Sequence, residues 1–444
     1  MTASNKVFCP CWIRRRQSAD LSWLFVPPAK GGGMEIRMKS TIIVFVIPGV
    51  SHITLLVPLL RYFGEQGYSV RVYTSSFIAS YVEKAGAGLV SLDDLYDQLE
   101  GDPYTRATSP YAMLDLVKLM DERFGEEFRN DPPAFALVDA HTVWGRLLAG
   151  KYQIPVIISS TTMIMNRLTM AEYFRYYERS IQMMEKGDIV KKLEELAGEG
   201  FPKRDINSLY TVGEEENCIV YVSKELQPCA DRMHSSHTFF MGYADEYEDI
   251  RTKSPEAEAG LPVTRPSSRP LIFISMGTSF LNTGFVFRNC VTAFKDREEL
   301  DIVMATSSEE IVKQLGDLPG HIRALPFVDQ KEILEILARA DAVICHGGLS
   351  TMRESFLAGV PMIICPRAFD QAGNAKRVEE LGAGITLDNN RPETLRRAVR
   401  LMLSVPSYRE NSFRIGQTLR NSGTVEEAAR WILSCVRQNK REVT

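Results

Sequence analysis

The chain from residue 40 onward alternates between two patterns of hydrophobic and polar residues. The run STIIVFVIPG at 40–49 is continuously apolar and β-branched up to its Pro-Gly end, which is typical of a strand buried on both faces of a parallel sheet. The run at 53–67 has amphipathic helical spacing and ends in glycine, and YSVRVYTSS at 68–76 is again typical of a strand. Strand, helix and strand in this order predict a βαβ unit.

The same order of elements recurs on both sides of one aperiodic segment. The segment at 244–270 is rich in proline, serine and charge and has no hydrophobic periodicity, which indicates a linker. Further strand-like runs before this segment lie at 135–140, 155–161 and 217–223. Those after it lie at 270–278, 300–307, 322–328, 340–348 and 360–366.

These elements predict an α/β protein of two Rossmann-like parallel-sheet domains that face a central cleft. The predicted division is a poorly ordered tail at 1–39, an N-terminal domain at 40–243, the linker at 244–270 and a C-terminal domain at 271–444. A last helix at about 423–439 either completes the second domain or crosses back to the first, and the pattern leaves this open.

Composition narrows the class of protein. With 45% hydrophobic and 24% charged residues, the 444-residue chain has the balance of a folded globular protein. A formal net charge of -4 and a pI near 6.0 give no basic field, so we expect no nucleic-acid partner. The eight cysteines form no CxxC pair, which favours free thiols in a reducing cytoplasm.

Targeting signals are also missing from the sequence pattern. No apolar run reaches the roughly 18 residues of a spanning helix, so we expect no membrane span. The tail lacks the apolar core and cleavage site of a signal peptide, and Met34 or Met38 is an alternative start.

The most informative stretch is CHGGLSTMRE at 345–354, where a strand ends and a helix begins. Gly347 and Gly348 let the backbone approach a ligand closely, and Ser350 and Thr351 add hydroxyl donors at the helix N-terminus. With His346 as a further donor, this turn predicts a cradle for a phosphate. A helix cap with a buried histidine is the alternative that the turn alone leaves open.

Neighbouring strand ends supply groups that suit the rest of a nucleotide sugar. Glu354 lies about two turns up the helix, where a carboxylate can accept from ribose hydroxyls. Asp370 and Gln371 follow the next strand and suit the vicinal hydroxyls of a sugar. Phe327 and Gln330 follow the preceding strand and can stack on and pair with a base.

The stretch from LPFVDQ at 325–330 to ELGAG at 380–384 resembles the nucleotide-sugar signature of the family 1 glycosyltransferases of GT-B fold. The resemblance implies inverting, metal-independent sugar transfer from a nucleotide diphosphate sugar. FISMGT resembles the family's Ser-x-Gly-Ser/Thr loop, which implies phosphate-side contacts from Ser275, Gly277 and Thr278. Phe327 stands where plant members carry tryptophan, which weakens any inference about the base.

The N-terminal half supplies a candidate base. Transfer to an alcohol needs a proton acceptor, and His52 follows the first strand. The run IPGVSHITLLVPLL resembles the family's PxxGHxxPxLxL turn, and DAHTVWGRLLA resembles its Asp-x-x-x-x-Trp-Gly-Arg-Leu-Leu-Ala segment. These matches imply His52 as base and Asp139 as the carboxylate that orients it. His141 is a competitor for a role beside them.

Acceptor identity is expected to reside in the N-terminal domain. Met and aromatic residues at 163–184 suit a lipophilic wall, with Met163, Met165 and Tyr173 as predicted contacts, although ordinary core is an alternative for such a stripe. No DxD or histidine-rich cluster is apparent, so we expect neither a metal nor another cofactor beyond the donor substrate.

The sequence therefore predicts a cytoplasmic glycosyltransferase that moves a sugar from a UDP- or dTDP-sugar to a hydroxyl of a lipophilic natural product such as a macrolide, polyketide or phenolic. Two alternatives stay open. A nucleotide-sugar epimerase would share the architecture without needing a base that faces an acceptor, and a catalytically silent homologue would bind the nucleotide sugar without turnover.

Overall fold

A computed structural model describes residues 40–175, 178–179, 187–242, 269–277, 283–367 and 370–442. The predicted tail at 1–39, most of the predicted linker and Thr278 lie outside the described residues. The described part contains two all-parallel sheets, one of seven strands and one of six, as the alternating pattern predicts.

The first sheet belongs to the N-terminal half and has the order β3-β2-β1-β4-β5-β6-β7. Its strands are β1 Thr41–Phe45, β2 Ser69–Thr74, β3 Gly88–Ser91, β4 Phe135–Asp139, β5 Val156–Ser160, β6 Cys218–Val220 and β7 Thr238–Phe240. The helices of this half are α1 Val50–Thr54, α2 Val57–Glu65, α3 Ala79–Lys84, α4 Asp93–Tyr96, α5 Pro103–Thr108, α6 Pro110–Asn130, α7 Val143–Lys151, α8 Arg167–Tyr173, α9 Asp188–Gly198 and α10 Ile206–Tyr210.

The second sheet belongs to the C-terminal half and has the order β10-β9-β8-β11-β12-β13. Its strands are β8 Leu271–Ser275, β9 Asp301–Ala305, β10 Ile322–Leu325, β11 Ala342–Cys345, β12 Met362–Ile364 and β13 Gly384–Thr386. Its helices are α11 Gly284–Phe294, α12 Glu309–Leu315, α13 Gln330–Arg339, α14 Leu349–Ala358, α15 Gln371–Glu380, α16 Pro392–Ser404, α17 Ser407–Arg420 and α18 Val425–Glu442.

The helix predicted at 53–67 is divided in two. Pro58 lies in the first turn of α2, where its missing N–H removes no intrahelical bond. A separate single turn, α1, precedes it and carries His52. The division sets His52 on a short element directly at the end of β1 rather than inside a long helix.

The last helix crosses back to the N-terminal half, which decides the question that its pattern leaves open. α18 packs on α2. Ala428, Ala429 and Ile432 are buried in one cluster with strand residues of the first sheet, including Ile42 and Val44. At the crossing the Gly423 N–H donates to the Phe240 carbonyl over 3.1 Å. None of the helices among the described residues combines the length and the hydropathy that crossing a membrane requires.

Candidate active site

Three neighbouring strands of the first sheet bring the candidate base and its partner together. β1 pairs with β4 and β4 pairs with β5, with Phe45 opposite Val138 and Asp139 opposite Ser159. Because all these strands are parallel, the segments that leave their carboxyl ends meet at one edge of the sheet. His52 on α1, Asp139 at the end of β4 and Thr161 just after β5 therefore meet there.

The contact between His52 and Asp139 is direct. His52 Nδ1 lies 2.5 Å from Asp139 Oδ2, and Thr161 Oγ1 lies 2.8 Å from the same nitrogen. Asp139 is fully buried, and its other oxygen accepts from the His141 backbone N–H over 2.7 Å. Hydrogen bonds that favour a carboxylate keep it ionised even in a buried site. No sequence pattern indicates Thr161, because its contact with His52 depends on the strand register.

His52 and Asp139 each stabilise the charged form of the other. Burial alone raises the pKa of Asp139, but the charge of His52 and the hydrogen bonds from His141 and His52 hold it well below its usual range. Burial lowers the pKa of His52, but the charge of Asp139, its hydrogen bond and the charge of Asp370 raise it above its ordinary value. An ionised Asp139 accepts only, so the neutral His52 carries its proton on Nδ1 and leaves a lone pair on Nε2.

His141 packs against this pair from the side. Its ring meets the His52 ring edge-to-face with centroids 5.2 Å apart, and its Nδ1 lies 3.5 Å from Asp139 Oδ1. His52, Asp139 and His141 each offer a ligand atom, and these atoms lie within 4.8 Å of one another. The sequence showed no histidine-rich cluster, because the three residues come together only through the fold.

In the second sheet, the glycine turn surrounds His346. A Cβ on Gly348 would lie 2.5 Å from His346 Nε2, and a Cβ on Gly277 would lie 2.6 Å from its Cε1. Gly277 and Gly347 also have positive φ, at 72° and 86°, a region that L side chains rarely adopt. Burial lowers the pKa of His346 to about 4, against a hydrogen bond to the Ser275 backbone that raises it, so the ring is neutral at pH 7.

The N-terminal turn of α14 has the features of an anion site. Gly348 is its N-cap residue, and no side chain caps the helix. Ser350 Oγ is buried and makes no hydrogen bond with the described residues, whereas Thr351 is half-buried in the same turn. Uncapped N–H groups and an unused hydroxyl at a positive dipole end favour a bound phosphate.

Glu354 and Gln330 are joined in the structure. The Gln330 amide donates to Glu354 Oε1 over 2.6 Å, and Glu354 is only 5% exposed. Burial raises the pKa of Glu354 to about 7, against the Gln330 hydrogen bond and the charge of Arg353, which lower it. Phe327 is 62% exposed, so its ring face is available for stacking.

Asp370 and Gln371 begin α15, beside the glycine turn. Asn374 donates to Asp370 Oδ2 over 3.1 Å and to the Gly347 carbonyl over 2.9 Å, which ties the Asp370 carboxylate to the glycine turn. Gln371 Oε1 accepts from the Arg367 backbone N–H over 2.8 Å. Asn374 is a further residue that sequence analysis missed, although it lies one helical turn after Asp370.

The two strand-end edges face each other. Burial raises the pKa of Asp370, while the charges of His141 and, more weakly, His52 lower it. Gly373 on α15 packs so closely on Phe174 that a Cβ there would lie 2.4 Å from the ring. Electrostatic and packing contacts thus connect the candidate base in the first half with the start of α15 in the second.

The structure places two of the three predicted acceptor contacts in the core rather than on a pocket wall. Met163 and Met165 are 0% and 3% exposed and pack in the core, so neither offers surface to an acceptor in this structure. Tyr173 is partly buried, and its hydroxyl donates to Glu380 over 2.7 Å across the two halves. The remaining members of the stripe include Tyr176, Tyr177, Met183 and Met184, which lie outside the described residues.

Known proteins are similar to this chain in sequence, and a solved structure is similar to it in fold. The family described as "Erythromycin biosynthesis protein CIII-like, C-terminal domain" matches residues 294–432. The NDP-glycosyltransferase YjiC of Bacillus licheniformis is 26% identical over 398 residues, covering 87% of this chain and 96% of its own. The demethyllactenocin mycarosyltransferase of Streptomyces fradiae is 25% identical over 363 residues, covering 77% and 74%. The crystal structure of the glycotransferase of kitacinnamycin superposes with a TM-score of 0.71 at 24% identity, covering 90% of this chain and 99% of its own.

Proposed function

We propose that this chain is a family 1 glycosyltransferase of GT-B fold, and that it transfers a sugar from a UDP- or dTDP-sugar to a hydroxyl of a lipophilic small molecule, with inversion and without a metal cofactor. The observation that carries the proposal is the 2.5 Å contact between His52 Nδ1 and Asp139. It leaves Nε2 free as a base at the edge of the sheet that faces the glycine turn.

The first step of the proposed mechanism is proton transfer. His52 Nε2 takes the acceptor hydroxyl proton while the oxygen attacks the anomeric carbon from the face opposite the diphosphate. The imidazolium that forms is stabilised by the buried carboxylate of Asp139, and Asp139 stays ionised throughout. In-line attack by one oxygen as the other leaves inverts the anomeric centre.

The second requirement is stabilisation of the leaving diphosphate. We propose that the uncapped N–H groups and the Ser350 hydroxyl at the start of α14 bind the diphosphate as its charge develops. Such a helix N-terminus contributes about 0.3–2 kcal/mol toward a bound negative charge, depending on burial. Phe327 and the Glu354–Gln330 pair bind the base and ribose, and Asp370 binds a sugar hydroxyl.

A catalytic metal is not needed in this scheme, and the residues of the His52, Asp139 and His141 cluster support that. Both oxygens of Asp139 already accept hydrogen bonds, one from His52 and one from the His141 backbone. A cation at this position would displace the proton that His52 holds on Nδ1. The cluster is therefore used for proton transfer when the enzyme is active.

The acceptor class rests on the relatives. The names of the Streptomyces mycarosyltransferase and of the kitacinnamycin enzyme refer to sugar transfer in natural-product chemistry. We propose an acceptor of that kind for this chain, with Tyr173 at its edge.

A product assay tests the proposal. Purified protein is incubated with UDP- and dTDP-sugars and a panel of hydroxylated lipophilic acceptors, with and without EDTA, and products are followed by mass and by the anomeric coupling in NMR. We expect one added hexosyl or deoxyhexosyl unit, inverted relative to the donor and unaffected by EDTA. His52→Ala abolishes transfer but retains donor binding, and His234→Ala, at an exposed histidine, is the matched control.

Several outcomes would contradict the proposal. Loss of donor binding in His52→Ala removes His52 from the role of base. A change in the donor sugar without any mass gain in an acceptor indicates the epimerase alternative. Donor binding without turnover across the whole panel indicates the silent homologue.

A further inference from the structure

We infer that His52, Asp139 and His141 form an inhibitory binding site for a divalent transition-metal ion of the Zn²⁺ class. The inhibitory effect rests on the proposed base role of His52, whereas the binding site itself rests on geometry alone. Nothing in the sequence pattern indicates this site, because His52 and Asp139 are 87 residues apart along the chain.

The ligand set is chemically suited to such an ion. Two imidazole nitrogens and a carboxylate are a common set of three protein ligands for Zn²⁺, which keeps a fourth position for water. In a tetrahedral site with Zn–N bonds of 2.0–2.1 Å, ligand atoms lie roughly 3.3 Å apart. Here Asp139 lies 2.5 Å from His52 Nδ1 and 3.5 Å from His141 Nδ1 through its two oxygens, so small rotations of the side chains suffice.

The placement of His141 also favours a ligand role. Its Nδ1 faces the Asp139 carboxylate at 3.5 Å, and its side chain is 20% exposed. An imidazole nitrogen at this distance from a carboxylate can share an ion with it after a small movement. His141 is also held in place, because its ring packs edge-to-face on His52 and its backbone N–H donates to Asp139.

The ion inhibits by changing the tautomer of the base. A neutral imidazole has one protonated and one unprotonated nitrogen. When a metal binds Nδ1 of His52, the single ring proton leaves Nδ1 by exchange with solvent, and the neutral ring carries its one proton on Nε2 instead. Nε2 then donates and cannot accept the acceptor proton, so transfer stops although donor and acceptor sites are unchanged. Chelation of the ion restores the original tautomer.

The decisive measurement is metal binding by the full chain without substrates. Zn²⁺ is titrated by calorimetry, and Co²⁺ is titrated by its visible absorption, in the unmodified protein and in His141→Asn. We expect the variant to lose at least about tenfold in affinity for one ion per chain, since removing even the partner of a ligand costs 10–100-fold. His234→Asn, which changes an exposed histidine, leaves that affinity intact.

Cys9 and Cys11 offer thiolates that also attract these ions, so the Co²⁺ spectra are needed to separate the sites. A site of nitrogen and oxygen ligands lacks the near-ultraviolet thiolate band. Binding that is equally tight in His141→Asn, or that carries a thiolate band throughout, overturns the site. His141→Gln is the second variant if His141→Asn does not fold.

Inhibition is then measured as the rate with Zn²⁺ divided by the rate without it, separately for each protein. We expect micromolar Zn²⁺ to inhibit the unmodified enzyme reversibly. The Zn²⁺ concentration that halves the rate should be at least about tenfold higher for His141→Asn, in line with its lower affinity for the ion. Zn²⁺ bound at the site with no change in rate overturns the inhibitory role. If no acceptor supports transfer at all, the proposed function fails while the binding titrations still decide the site.

Discussion

Glu354 provides a quantitative test of the nucleotide site through the pH dependence of stability. Burial raises the pKa of its carboxyl from 4.5 to about 7. At 1.36 kcal/mol per pKa unit, ionising Glu354 in the folded protein costs about 3 kcal/mol more than in the unfolded chain. Glu354→Gln keeps the size of the side chain and an oxygen that accepts from Gln330, but it does not ionise.

The sign follows from the raised pKa. Below pH 4.5 the carboxyl is protonated in both states and has no effect on the free energy of unfolding. Between 4.5 and about 7 the unfolded chain ionises first, so the wild type loses stability with rising pH, and above about 7 the loss is complete. The stability of Glu354→Gln relative to wild type therefore rises through this window and then levels off.

Calorimetric scans of both proteins without donor at a series of pH values measure this difference. At 2–4 °C per kcal/mol for a domain of 150–250 residues, the shift in Tm between pH 4.5 and 8 is on the order of 6–12 °C. Glu335→Gln, at an exposed position on α13, is the control for the loss of one charge. A Tm difference that stays constant with pH would show that the Glu354 carboxyl is not destabilised by burial, and the reasoning about this site would fail.

Two other substitutions test the donor site. In Gly348→Ala the new Cβ meets His346 Nε2 at 2.5 Å, and Gly277 confines the other side of the ring. We expect overpacking of about 1–3 kcal/mol, which would weaken donor binding by about 5- to 150-fold in calorimetry. Gly64→Ala, with open space around it, should leave donor affinity unchanged, and unchanged affinity in Gly348→Ala as well would contradict the packing argument. Phe327→Ala should weaken donor binding by about 1–3 kcal/mol, because the stacking of the base on the ring is lost. The Tm should change little, because the ring is already 62% exposed. Equal donor affinity in Phe327→Ala and in the control Tyr111→Ala would exclude stacking.

The sequence predicts the central strands well because they are buried on both faces. β1 and β4 read as continuous apolar runs, and the structure places both in the middle of the first sheet. The edge strands β3, β7 and β13 were not predicted. They are three or four residues long and only partly buried, so their sequences carry no continuous apolar signal.

The sequence likewise predicts some residues of the candidate site and not others. His52 and Asp139 are predictable because each follows a strand, and strand ends of parallel sheets meet at one edge. Thr161 and the His141 contact depend on which strands are neighbours, which periodicity does not determine. Met163 and Met165 belong to the run MIM at 163–165, which has no polar residue. Because consecutive apolar residues leave no polar face, both side chains are buried in the core.

The position of α18 shows a further limit. Its buried residues recur at the spacing of one helical face, as Ala428, Ile432 and Cys435 do. Such a face fits any apolar groove of suitable width, so the sequence could not choose between the two halves. The position of α18 bears on the proposed function, since a helix that crosses back connects the half with the proposed donor site to the half with the proposed base.

Electrostatics makes that connection specific. Burial lowers the pKa of His52, and the charges that raise it come from Asp139 in its own half and from Asp370 in the other. Asp370 is fixed by Asn374, which also donates to the Gly347 carbonyl of the glycine turn. In the proposed mechanism, a sugar hydroxyl that donates to Asp370 neutralises part of its negative charge, and the pKa of His52 falls toward the value that Asp139 alone would set. On that proposal the proton affinity of His52 depends on donor occupancy, which couples proton transfer to the presence of an activated sugar.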